Sequence, residues 1–512
     1  MRATHAGIRL DSAVLRVPLL SGTGVVFVPL GDDDVLLRAH APSQRLVDAG
    51  AAVRDSLRYP LSGPGIEDVV TRGAAATIVV QPPALPLPGA QLDARPGALA
   101  STLDELERCG VAPERQTILV AGGLARRPTT RELERLLPPP RARSFRGNIV
   151  VHDAEDPALV RIADWGVKPV RVHRTLVEAD IVVVVGAAET VLHGGPGTLV
   201  AACDADTVRQ TAGADSLLEA AGSPEWQLGL AVERALTGRA PLLGVSLVLD
   251  LPRLTGTFRG YPFEDESFDR IARSLVRRAI TRLPTPARRG VFTRMGRRLA
   301  ATAAFAGPPS VAHAEALLRG VALRGVALDD PVDALVIGVP WIGPHFPREP
   351  LNPLTAAAVA LGLALRLRRD AFPVRAGGTL VLAHSFKRRF TQVTEAPYAV
   401  MFQRLRAGAD LEEVGELERA AARDERAIAS YRAGKACHPR LPYADWAGCL
   451  PALERLGSVV VAGCRDALAA RTLGFVPTRG VASALEMAHG VSGGRARVGV
   501  LAAPPYPPLL VG

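Results

Sequence analysis

The sequence predicts an α/β protein: two α/β domains with parallel-type sheets and an interdomain cleft, joined by a helical linker. Three observations carry this expectation. Short β-branched runs alternate with helical stretches, which is the rhythm of parallel α/β units. The chain has 512 residues, 48% of them hydrophobic, and a single core stops growing at roughly 250 to 300 residues. The alternation also pauses once, between about Glu264 and Asp330, before a second series begins.

The first series contains strand-like runs at Thr77–Val80, Thr117–Val120, Asn148–Val151 and Ile181–Val185, with helix-like stretches such as Thr130–Leu137 between them. In the pause, Phe268–Leu283 and Ser310–Leu323 read as helices separated by the Pro- and Arg-rich strings TPARRG and AGPP, which break regular structure. The second series runs through Asp333–Gly338, Gly378–Leu382, Ser458–Val461 and Val498–Leu501. The expected divisions are 1–275 for an N-terminal domain, 276–330 for a helical linker region and 331–512 for a C-terminal α/β domain. Asp410–Tyr431, dense in Glu and Arg at helical spacing, reads as an exposed helix.

Composition narrows the function classes. The longest apolar stretch, Leu354–Leu365, is Ala-rich and too short to span a bilayer, so it reads as a buried helix. The first twenty residues carry no apolar run followed by a small-residue cleavage site, so the expectation is a cytoplasmic protein with no membrane partner. Five cysteines without CxxC spacing argue for reduced thiols rather than disulfides or structural zinc. The net charge of +10 is mostly arginine, clustered at Arg366–Arg369 and Lys387–Arg389. With 4% aromatics and no nucleic-acid motif, these clusters read as solvated surface, and nucleic-acid binding is the weaker alternative.

Several ordered strings resemble the nickel-pincer lactate racemase family. They are Ile78–Pro86, Ile118–Leu133 with its Ala121-Gly-Gly-Leu-Ala125 turn, His152-Asp153, Gly166–Val170 and Leu176–Gly186. Beyond the pause, Gly256–Gly260, Gly377–Leu382, Leu473–Pro477 and Val498–Pro504 continue the similarity over most of the chain. No single string is decisive; the order carries the resemblance. It implies racemisation or epimerisation of a 2-hydroxy acid by hydride removal and return, with a nickel-pincer nucleotide as hydride acceptor. The protein would supply a lysine anchor, a histidine ligand to nickel, two histidine acid/bases, and cations for carboxylate and phosphate.

Most of those implied positions are replaced. Gln81-Pro-Pro-Ala-Leu85 stands where the family has an arginine, and Ala125 where it has a histidine, leaving Arg126 and Arg127 as anion-binding candidates. The family's EPHFFAGxSGGxK region corresponds to Glu189–Cys203. Without gaps, its histidine falls on Val191 and its anchoring lysine on Ala201; with a two-residue slip they fall on His193 and Cys203. A thiolate is a nucleophile and soft metal ligand, whereas a buried thiol is only a small hydrophobe. No histidine occurs in Ala205–Leu218, where the nickel ligand is expected.

In the second half, Gly343–Asn352 resembles the family's GGYPKDxN, with Arg348 in place of lysine and His345 close by as a substitute acid/base. His384-Ser-Phe-Lys-Arg-Arg389 follows a strand end, where open α/β sheets present ligand-binding residues, so Lys387 and Arg388 are anion-binding candidates, and Lys387 joins Arg348 as a substrate-binding candidate. The candidate site is therefore His193 and His345 for catalysis, Cys203 and Arg126 toward a cofactor, and Arg348 and Lys387 toward substrate. The reading that fits these replacements is a divergent or inactive homologue that binds a small anionic metabolite such as a hydroxy acid. The alternative is an active racemase or epimerase of another hydroxy acid, using His193, His345 and Cys203 as substitutes. The nickel-pincer nucleotide is implied by the family alone.

Overall fold

The computed structural model describes residues 15–41, 46, 48–82, 93–294, 296–341, 352–390, 393–407, 413–494, 496–503 and 506–512. Its helices and parallel or mixed sheets make it an α/β protein, as the sequence predicts. In the first six-stranded sheet, spatial order runs Ala301–Gly307, Leu242–Leu249, Ile181–Ala187, Ala76–Val80, Gln116–Val120, Asn148–Val151. All neighbours are parallel except Ala301–Gly307, which runs antiparallel to Leu242–Leu249. Leu242–Leu249 is buried along its whole length and Ala76–Val80 likewise, so neither alternates: helices cover both faces of the sheet.

The second six-stranded sheet is parallel throughout, in the order Val476–Thr478, Ser458–Ala462, Val374–Ala383, Val332–Gly338, Val498–Leu501, Val35–Leu37. Two of these placements were not visible in the sequence. Val35–Leu37 comes from the N-terminal part of the chain yet pairs with Val498–Leu501 in the C-terminal sheet. Ala301–Gly307 lies inside the 276–330 stretch expected to be a helical linker, and it joins the first sheet instead. Its sequence, ATAAFAG, is poor in β-branched residues, and the pairing across the sheet overrides that weak local preference.

Three helices are shorter than expected, each for a local reason. Phe268–Leu283 is two helices, Asp265–Arg273 and Leu275–Arg282, because Ser274 turns out of helical geometry and its hydroxyl accepts the Arg277 N–H at 3.1 Å. Asp410–Tyr431 divides into Val414–Ala421 and Glu425–Arg432, where the Asp424 carboxylate caps the second helix by accepting from Arg426 N and Ala427 N. The helix from Thr130 stops at Leu133, ahead of the proline run that starts at Pro138. The apolar stretch 354–365 is buried as expected; it opens as Pro353–Ala357 and widens into π turns over Ala358–Leu363. Among the described residues no helix is long and apolar enough to cross a membrane.

The two sheets share packing. One continuous apolar cluster takes Ala188, Val191, Leu217, Trp226 and Leu251 from the first half and Leu335, Leu361, Phe386 and Trp446 from the second. Ion pairs reinforce the contact: Glu418 accepts from both Arg209 and Arg440, and Asp215 from both Arg368 and Arg455.

Candidate functional site

In the first sheet the chain moves one way from Ala76–Val80 to Gln116–Val120 and the other way from Ile181–Ala187 to Leu242–Leu249. The crevice beyond the carboxyl ends of Ala76–Val80 and Ile181–Ala187 is therefore a topological switch point, where open α/β sheets take their ligands. Gln81 follows the first of these strands, and its Oε1 accepts from Gly194 N and from the Thr198 hydroxyl, both at 3.2 Å. The loop after the second strand brings Glu189, Thr190 and His193 to the same place.

His193 precedes the short helix Gly195–Val200, and its Nδ1 lies 3.3 Å from Thr190 Oγ1. Gly194 and Gly195 both have positive φ, and a Cβ on either would sit 2.4 Å from the His313 side chain. Only glycine lets that ring come so close to the loop. His313 enters from the helix Pro309–Arg324 and is fully buried. Its Nε2–H donates to the Thr190 carbonyl at 2.9 Å, which leaves Nδ1 to accept from the Ser246 hydroxyl at 3.3 Å. Burial pushes His313 down to about 4, and burial together with the neighbouring His313 ring pushes His193 down to about 4. Both rings are neutral at pH 7. His313 was not singled out from the sequence because it sits between apolar helix positions and looks like a core residue.

Cys203 is separated from His193 by the helix Gly195–Val200 and faces a different part of the molecule. It is fully buried in an apolar cluster with Val79, Leu119, Val182 and Leu199, and its thiol donates to the Leu199 carbonyl at 3.4 Å. Burial pushes the thiol well above its ordinary range. Arg126 is also committed elsewhere: Nη1 and Nη2 donate to the two carboxylate oxygens of Glu132 at 2.9 and 2.7 Å. Burial alone would raise the Glu132 carboxyl, but the bonds from Arg126 and from the Thr129 backbone hold it at about 2. The adjoining turn, which carries Ala125, is covered by the C-terminal helices, with the Tyr431 hydroxyl donating to the Gly123 carbonyl and the His438 N–H to that of Leu124.

Beside this cover lies a polar cleft of about 390 Å³ lined by Glu155, Asp156, Arg171, Asp204, Asp206 and Arg440. Its charges are largely matched within the protein: Arg440 pairs with Asp206, and His438 Nε2–H donates to Glu155.

The carboxyl end of the second sheet is different. After Val374–Ala383 the chain continues through His384, Ser385 and Phe386 to Lys387; after the neighbouring Ser458–Ala462 it continues through Cys464 to Arg465. The Arg465 N–H donates to the Ser385 carbonyl at 2.8 Å, which links the two loops. Phe386 is fully buried yet holds a φ of 43°. A bulky residue in the left-handed region costs on the order of 1–3 kcal/mol and persists only where its surroundings impose it, which is a recurrent feature of ligand-binding loops. Its buried ring anchors the turn that exposes Lys387. Partial desolvation and the fields of Arg465, Arg389 and Arg288 push the Lys387 ammonium below its usual range. Arg288 comes from the helix Thr285–Thr293, which no sequence signal aims at this loop; Arg465 follows a strand end and is detectable by the rule that found Lys387. His345 and Arg348, the remaining candidates, lie outside the described residues.

The nickel-pincer nucleotide implied by the resemblance does not fit the described residues. The stretch Ala205–Leu218, where the single nickel-binding histidine is implied, has no histidine. The chain has only three lysines, Lys168, Lys387 and Lys435, and none is at the end of the helix Gly195–Val200 where an anchor is implied. Ala201 and the buried Cys203 stand there.

Residues 22–195 match the lactate racemase N-terminal domain. The whole chain is similar in structure to the lactate racemase apoprotein from Thermoanaerobacterium thermosaccharolyticum, with 14% identity, 97% of this chain and 100% of that chain covered, and a TM-score of 0.61. A protein from Thermotoga maritima aligns over 86% of this chain and 93% of its own at 12% identity, with a TM-score of 0.48. No curated protein matches. Residues 22–195 are thus similar to the lactate racemase N-terminal domain, and the chain shares the fold of the lactate racemase apoprotein along nearly its whole length.

Proposed function

We propose that this lactate racemase-like protein binds a small anionic metabolite, such as a hydroxy acid, at the carboxyl end of its second sheet, and does not carry out nickel-dependent racemisation. The observation that carries the anion site is the gathering of Lys387 and Arg389 on one loop and Arg465 on the other, joined by the Arg465–Ser385 hydrogen bond, with Arg288 of the helix Thr285–Thr293 close enough to act on Lys387. Cations that lower one another's proton affinity gain most when an anion enters among them, because a carboxylate or phosphate relieves the repulsion as well as adding its own bonds. The second half of the proposal rests on the lack of fit between the described residues and the nickel cofactor.

Calorimetry with lactate, citrate and inorganic phosphate tests the first half; saturable binding that weakens with salt is expected, and no binding of any of the three overturns it. Co-expression with cofactor-synthesis enzymes tests the second. The protein is expected to purify without stoichiometric nickel and without lactate racemisation, and nickel-loaded, racemising protein overturns the reading.

A second reading, an isomerase acting on another hydroxy acid, has one specific observation in its favour. His193 lies at the switch point of the first sheet with its ring neutral at pH 7, the state a proton acceptor requires. It predicts hydroxy-acid epimerisation that His193→Ala abolishes.

A further inference from the structure

The stretch 270–298 contains ten arginines and no aspartate, glutamate or lysine. Within it the helix Leu275–Arg282 buries none of its residues. Leu275 is 74% exposed, Val276 60% and Leu283 40%. At 100° per residue, Leu275, Ala279, Leu283 and Val276 fall on one side of this helix, with Arg278 and Arg282 beside them. Arg277, on the opposite side, turns inward: its Nε–H donates to the Ile271 carbonyl at 2.9 Å and its guanidinium lies 5.0 Å from the centre of the Phe27 ring. The helix is thereby fastened to the protein by one edge while its apolar face is left in water. Among the described residues, Arg278, Arg282 and the exposed Arg294 make no ion pair.

We propose that this face docks on an anionic lipid bilayer, with Leu275, Val276 and Leu283 entering the headgroup boundary and the arginines meeting the lipid phosphates. The lack of a spanning helix bears only on crossing a membrane; lying on one needs a short apolar face rimmed by cations whose stems reach up from the interface. Charge complementarity selects this occupant. A second copy of the chain would bring the same arginines against each other. A nucleic acid would use the cations but leave the aliphatic face in water, and the stretch has a single aromatic residue, Phe292, which is buried and unable to stack on a base. A protein partner would need a far larger complementary face than one eight-residue helix supplies, roughly 800 Å² a side. The proposal is independent of the anion site in the second sheet.

Flotation of the full chain with vesicles tests it, using phosphatidylcholine alone and phosphatidylcholine mixed with phosphatidylglycerol. Binding is expected only to the mixed vesicles, and it should weaken with salt. The double substitution Leu275→Ser with Val276→Ser keeps every charge, and it should weaken binding about tenfold by removing exposed apolar surface that would otherwise be buried in lipid. Arg278→Gln with Arg282→Gln should weaken it and flatten the salt dependence. The native circular dichroism spectrum and unfolding midpoint of each variant confirm that the fold is kept. Three results overturn the proposal: equal binding to both vesicle types, native binding by the serine variant, or displacement from mixed vesicles by a duplex oligonucleotide at equal salt.

Discussion

The backbone N–H of Arg465 donates to the carbonyl of Ser385 across 2.8 Å, which ties together the loops that leave two adjacent parallel strands of the second sheet. Because this bond is made by backbone atoms, the Arg465 side chain stays exposed and free to share an anion with Lys387. Lys387→Gln and Arg465→Gln should therefore each weaken citrate or phosphate binding by about five- to tenfold, corresponding to roughly 1–1.4 kcal/mol per lost charge-assisted bond. Both side chains are exposed, so the unfolding midpoint should stay essentially unchanged. Calorimetry on the two variants decides: native affinity in both would place the anion elsewhere.

Arg126 offers the opposite case, a cation already satisfied by its own protein. Its two-pronged contact with Glu132 is partly buried, so Glu132→Gln should destabilise the fold by about 1–2 kcal/mol in urea unfolding while leaving anion affinity untouched. The Glu132 carboxyl is held at about 2 in the folded chain against an ordinary 4.5. Its contribution is therefore fully present above about pH 4.5 and is lost as pH falls toward 2. Arg126→Ala should lower stability over the same pH range, and a fall in citrate affinity in this variant would restore Arg126 as a ligand-binding residue.

Histidines set a second acid window. Burial holds His152, His193, His313 and His384 at about 4. Their neutral forms are favoured in the folded chain, so their contribution is complete above the unfolded value near 6.5 and drains away as pH drops through 6 toward 4. Each ring contributes up to about 3 kcal/mol across that window. Urea midpoints at pH 7, 6 and 5 should fall steeply, and His313→Gln should have a lower midpoint at pH 7 but a shallower fall below it. An unchanged slope would mean that His313 is protonated in the folded protein.

How much of this was legible in the sequence follows from where each signal is stored. Ile181–Ala187 and Ser458–Ala462 are β-branched runs, and their strand character is local. Ala301–Gly307 and Val35–Leu37 are strands only because distant partners make them so, and short or alanine-rich sequence carries no trace of that pairing. The site divides the same way. Lys387 could be found because it follows a strand end, whereas Arg288 reaches the same place from a Pro- and Arg-rich stretch that reads as a linker. The spacing that joined His193 to Cys203 was real in sequence but false in space: the intervening helix turns the thiol into an apolar cluster.

That separation gives the last prediction. Cys203, Cys437 and Cys449 are buried, while Cys109 and Cys464 are partly exposed. In the native state a thiol reagent should label Cys109 and Cys464 and reach the other three only after unfolding. Burial raises Cys203 well above the range in which a thiolate forms, so it lacks both the access and the ionisation that attack on a cofactor requires. Cys203→Ser would exchange a weakly polar thiol for a hydroxyl in an apolar cluster and should destabilise the fold by about 1–3 kcal/mol, with anion binding unaltered. Peptide mapping settles the question directly, because Cys203 labelled in the folded protein as fast as Cys464 would return it to the list of possible cofactor anchors.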